Sequence, residues 1–181
     1  MNQYSTARTV WSKAGVSGAA LGLVSGAFLF LGHAANSIGA PAAAISVSFV
    51  LWLVKFIGCI LLMRYFMKKF CAGYPAATNR DSFRFGMATA VLSALIYSAI
   101  YLADILFVSA DLFETQMAEA ISTYSPMLDS NSLAMLEKME GSYPQISFFS
   151  NLIYCFLFGT VLSAILSRDI PSRDPFSNTE K

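Results

Sequence analysis

The sequence predicts an all-α polytopic membrane protein: four transmembrane helices, with an outer amphipathic helical hairpin between the third and the fourth. Three observations carry this. Hydrophobic residues make up 56% of the 181-residue chain and charged residues only 13%, against about 25% charged in a typical soluble domain. Four apolar stretches reach the roughly 20 residues needed to cross a bilayer. Lysine and arginine gather on one side of those stretches.

The spans are read at about 14–36, 43–66, 83–108 and 146–166. Lipid admits only helices and closed barrels, which satisfy their own backbone. Barrel strands alternate over about ten residues, and these runs are longer and do not alternate. The short polar link at 36–41 joins the first two helices as an antiparallel hairpin. The stretch 71–82 reads as a longer polar loop.

Residues 109–145 form the outer hairpin. Phe113, Met117, Ile121 and Tyr124 recur at helical spacing, and Asp111 with Glu114 resembles a capping box. Pro126 ends the first arm. The second arm starts at the Ser/Asn pair after Asp129, places Leu133, Leu136 and Met139 on one face, and stops at Gly141. Residues 1–13 are an N-terminal segment, 14–167 the transmembrane domain, and 168–181 a tail with prolines and charges but no apolar face, expected to be disordered.

With the N-terminus inside, Arg8, Lys13, Arg64, Lys68, Lys69, Arg80, Arg84, Arg168, Arg173 and Lys181 lie inside, and Lys138 alone lies outside. Asp111, Glu114, Glu119, Asp129, Glu137 and Glu140 lie outside. This places both termini in the cytoplasm of a bacterial cell, with the chain in the inner membrane. The first apolar stretch followed by "LGHAANS" also has signal-peptide features, but it is long for that role and another span follows at once.

A net charge of +1 and no basic cluster interleaved with aromatics give no reason to expect nucleic acid. Cys59, Cys71 and Cys155 form no C-x-x-C pair and read as small buried hydrophobes. With one histidine, no metal site is expected. No catalytic motif is present, and no cofactor is implied.

Two features stand out inside the spans. Gly18, Gly22 and Gly26 fall four apart and form a groove on one face of the first helix. It serves either a homodimer seam or packing against the second or third helix, the latter being the simpler reading. Lys55 lies near mid-membrane, where an isolated charge costs about 2.5–3.5 kcal/mol. Asp104, in the third span, lies roughly 12 Å or more farther out, too far for a direct ion pair. The expected arrangement is a polar cluster of Lys55, Tyr97, Tyr101, Tyr154, Asn151 and Asp104. Its role is either a proton or substrate path, pairing with a partner's acidic group or lipid phosphate, or plain packing. His33 reads as an interfacial residue.

The segments "DSFRFGMATAVLSALIY" and "ISFFSNLIYCFLFGTVLSAILSRDIPSRDPF" give the chain a family resemblance. It resembles a Bacteroidota family of small four-helix integral membrane proteins catalogued as a domain of unknown function (DUF 4199-like). The resemblance implies the fold and the inner-membrane location and brings no catalytic residues. It also implies genes lying near those of membrane glycosyltransferases that use lipid-linked sugars, and with them an accessory role. The function expected is non-enzymatic: an accessory or assembly partner of another membrane protein, glycosyltransferase-like, or a self-associating protein, with the lipid bilayer as its surroundings. The alternative is a small transporter or ion-conducting oligomer using Lys55 and Asp104.

Overall fold

A computed structural model describes residues 7–36, 41–74, 77–127 and 129–171. Among the described residues there are five α-helices: α1 (Ala7–Asn36), α2 (Pro41–Ala72), α3 (Asn79–Ala103), α4 (Ala110–Tyr124) and α5 (Ser130–Leu166). Four are long and apolar enough to cross a membrane: residues 8–35, 42–72, 79–108 and 141–166. The link at 37–40 and the tail from 172 lie outside the described residues, as do the side chains of Leu133, Leu136 and Met139.

The helices run past the apolar stretches wherever nothing breaks them. α2 opens on Pro41, whose missing N–H is no loss in a first turn. α3 starts earlier than its apolar run because Thr78 and Asp81 form a capping box. The Thr78 N–H donates to Asp81 Oδ2 at 3.0 Å, and the Asp81 N–H donates to Thr78 Oγ1 at 3.3 Å. The loop expected at 71–82 shrinks to the few residues between Ala72 and Asn79.

The outer segment corrects the sequence reading in three places. α4 is capped at Ser109, without a side-chain cap bond, and Asp111 falls inside its first turn. The cause is a π-turn at Asp104–Val108, closed by the Ser109 N–H donating to the Asp104 carbonyl at 2.8 Å. α5 is capped by Asp129, whose Oδ1 accepts from the Ser132 N–H at 3.1 Å, rather than by the Ser/Asn pair. Nor does the second arm stop at Gly141: α5 continues through Gly141 and Pro144 into the last span. Proline removes one ladder hydrogen bond, and the neighbouring Tyr143 ring stacks on Phe113 of α4 at 4.5 Å, which ties the arm in place.

Packing centres on α3. A Cβ added to Gly18 would stand 2.7 Å from Leu92 Cβ, and one added to Gly22 would stand 2.8 Å from Ile96 Cβ. Gly26 faces Ile100 in the same register. The α1 glycines therefore seat α3 within the same chain, with α1 and α3 parallel. On the far face of α3, Gly86 meets Ser163, and a Cβ on Gly159 would stand 2.5 Å from Ala90 Cβ. α5 thus packs antiparallel to α3 with equal closeness. α2 leans mainly on α1, and its backbone stays away from that of α5.

The tight core lies at the end carrying Arg8, Lys68, Arg80 and Arg168. Met67 and Phe85 are fully buried there, and Phe70 stacks on Phe85 at 4.3 Å. Asn79 ties the loop to the end of α5 by donating to the Arg168 carbonyl at 3.0 Å.

The glycine contacts predict a graded series. Gly22→Ala drives a Cβ against Ile96 and to 3.0 Å from the Ser93 carbonyl, and should cost about 1–3 kcal/mol. Gly26→Ala meets Ile100 side-chain atoms, Cδ1 at 2.7 Å and Cγ2 at 3.1 Å, rather than backbone, and should cost less. Gly15 has nothing within 4 Å, so Gly15→Ala should be neutral or stabilising by up to about 1 kcal/mol. Thermal unfolding of the three variants in mild detergent checks the order.

Candidate functional site: a two-part cavity meeting at Lys55

Because α3 is drawn tightly to α1 and α5 while α2 leans mainly on α1 and meets α3 chiefly at the Phe70–Phe85 end, a wedge stays unfilled between α2 and α5. An inner chamber of about 360 Å³ occupies it. Leu21 and Ser25 of α1 and Ala90, Ser93 and Ala94 of α3 form its floor, and Cys59 and Cys155 face each other from its walls. Its rim carries Trp52, Phe56, Tyr154 and Phe158, all exposed. Phe56 and Phe158 meet across the opening with ring centroids 5.6 Å apart.

An outer chamber of about 420 Å³ lies toward the acidic end. His33, Tyr101, Asp104 and Ser109 line it, and Leu112, Phe113 and Gln116 of α4 with Tyr143 of α5 cover it. Lys55, Trp52 and Tyr97 belong to both chambers. Lys55 therefore stands at the junction.

Lys55 is half-buried, and its ammonium sits over the Tyr97 ring, 4.3 Å from the centroid. The ring face, not the hydroxyl, is what the cation meets. A desolvated cation–π contact is worth about 2 kcal/mol or more, which offsets most of the roughly 2.5–3.5 kcal/mol insertion cost. Among the described residues no carboxylate oxygen lies within 4.0 Å of this ammonium.

Asp104 is only 3% exposed. His33 Nδ1 stands 3.5 Å from its Oδ1, and Ser109 Oγ donates to its Oδ2 at 3.3 Å. The histidine contact is within ion-pair range but is not a hydrogen bond, and Oδ1 is left without a hydrogen-bond partner among the described residues. His33 is thus both half-exposed, as an interfacial residue should be, and the partner of the deepest carboxylate.

The six-residue cluster expected from the sequence divides. Lys55 and Tyr97 form the junction; Tyr101, whose ring lies 6.3 Å from that of Tyr97, and Asp104 line the outer chamber. Asn151 borders the inner chamber and donates to the Ser147 carbonyl at 3.1 Å. Tyr154 is 70% exposed on the outer face of α5 and only edges the rim. Sequence reasoning passed over Tyr143, Trp52 and the His33–Asp104 contact. The contact could have been found from the glycine register, since pairing Gly18 with Leu92 and Gly22 with Ile96 places Asp104 about one turn below His33 on a parallel helix.

The cysteines are free, with Cys71 buried and the other two half-buried. No group of three or more metal-ligating side chains occurs among the described residues. The arrangement can hold a molecule, and it offers a cation and a carboxylate at separate depths.

An all-α, four-span membrane fold around a chamber closed at its basic end is the class these features define. Residues 13–168 match the family described as protein of unknown function (DUF4199), and the chain belongs to that family. No curated protein and no solved structure matches it.

The two contacts on Asp104 predict unequal substitutions. His33→Ala leaves a buried carboxylate with Ser109 alone and should destabilise by about 1–2 kcal/mol, since the imidazole is partly exposed. Asp104→Asn removes the charge, keeps an acceptor for Ser109, and should cost less than His33→Ala. Melting temperatures of the purified variants, compared at one pH, check the ranking.

Proposed function

We propose that this protein is a non-enzymatic, multi-pass protein of the bacterial inner membrane, both termini cytoplasmic, that binds a ligand within the bilayer as a carrier. The single observation behind this is Lys55: a cation at mid-membrane depth, without a carboxylate partner among the described residues, shared by two chambers. Ionisable groups inside spans are expensive, and they mark ligand or ion paths more often than packing. The charge asymmetry of the flanks supports the orientation. The Met67, Phe70 and Phe85 core at the basic end favours a blind chamber over a continuous ion pore.

Native thiols make this testable. Cys59 and Cys155 line the inner chamber, so a small anionic methanethiosulfonate added from the acidic side should modify them, and a saturating ligand should slow the reaction. Full protection of both in reconstituted protein, with Cys71 replaced by serine, would mean that water does not reach the chamber and would exclude this route.

A second reading, accessory to another membrane protein of the glycosyltransferase type, is favoured by α2. None of its spanning window is buried, and Phe49, Trp52 and Phe56 stack in a ladder along it. A photo-crosslinker at Phe49 should then capture one stoichiometric protein from native membranes; labelling of lipid alone would discount the idea.

A further inference from the structure

Building on the ligand-binding reading, we infer that the ligand is a single-chain anionic amphiphile, its carboxylate or phosphate head at Lys55 and its chain in the inner chamber. Three observations converge on that class.

The first is charge. Lys55 is the one charged residue among those lining the inner chamber. No carboxylate answers it among the described residues, and the Tyr97 ring covers only one side of the ammonium. A neutral ligand would leave the remaining donors unanswered, and a cation would be repelled.

The second is shape and polarity. Along α2 the chamber runs from Lys55 to Met63, roughly 12 Å of helix. Past the lysine its walls are Cys59, Met63, Leu21 and Leu162, which suit a hydrocarbon chain. Met67, one turn beyond Met63 on α2, is fully buried with Phe85, so packed core follows the chamber toward the basic end.

The third is access. The backbones of α2 and α5 stand apart along the chamber, and the rim side chains between them are exposed to the surroundings of the bundle. A chain can enter sideways from lipid past the Phe56–Phe158 contact, while its head stays toward the outer chamber.

Trp52 borders both chambers, and the only other tryptophan, Trp11, can be removed as Trp11→Phe. The test uses that variant in phosphatidylcholine nanodiscs, titrated with chain-brominated C16 probes that quench tryptophan. The probes are a carboxylate, an alkyl phosphate, a neutral alcohol and an alkyl trimethylammonium. Saturable quenching by the carboxylate, the phosphate or both is expected, and which of the two binds tells a fatty acid from a phospho-lipid source. Lys55→Met should weaken it tenfold or more, and Lys55→Arg should restore it. Met63→Phe, which fills the far end of the chamber about 12 Å of helix from the lysine, should weaken the C16 probes more than C8 ones.

Saturable quenching by the neutral or cationic probe, unchanged in Lys55→Met, would overturn the anionic assignment and leave the chamber as a binding site. Linear, unsaturable quenching by every probe would overturn the ligand-binding reading itself.

Discussion

The close approach of α3 to two glycine faces is the constraint from which the rest of the molecule follows. In lipid, helices gain nothing from hiding apolar surface, so contact depends on fit and on small residues that let backbones approach. Gly18 and Gly22 on one side and Gly159 on the other leave no room for a Cβ. α1, α3 and α5 therefore form a tight three-helix sheet of cylinders. α2, which leans mainly on α1 and reaches α3 chiefly at the basic end, stands off from α5, and the resulting gap is the inner chamber. A cavity in this protein is thus a by-product of good packing elsewhere, not of poor packing locally.

The two intramembrane charges have each found a separate local answer. Lys55 rests on a ring, and Asp104 is held by an imidazole and a hydroxyl. Their depths explain why they do not neutralise one another: α3 carries Tyr97 near the level of Lys55 and reaches Asp104 nearly two turns later. A bundle that needed only to hide a stray pair could have placed them side by side. Keeping them apart preserves one positive and one negative end along the same cavity system, at the cost of two partly compensated burials.

Much of this was legible beforehand because lipid imposes strong rules. Span number, helix type and the gathering of basic residues at one end followed from length, apolarity and charge. The small-residue face of α1 was also plain, though its partner was not, since a glycine groove fits any helix of suitable shape. What escaped was whatever depends on register. Tyr154 looked level with the polar groups, yet its position around α5 turns it outward. Gly141 and Pro144 looked like an end, because local propensity does not see the Phe113–Tyr143 stack that supports the helix there. The capping box read at Asp111 failed because a π-turn starts the following helix two residues early.

That π-turn acts as a dial on the mouth of the molecule. One surplus residue in a helix swings everything beyond it by roughly 100°, and here the swing brings Leu112 and Phe113 over the outer chamber. Loss of a single amino acid from 104–108 would turn that roof toward the fatty acyl chains while leaving the spans below untouched. Homologues differing by one residue at this spot could present quite dissimilar roofs over the same frame.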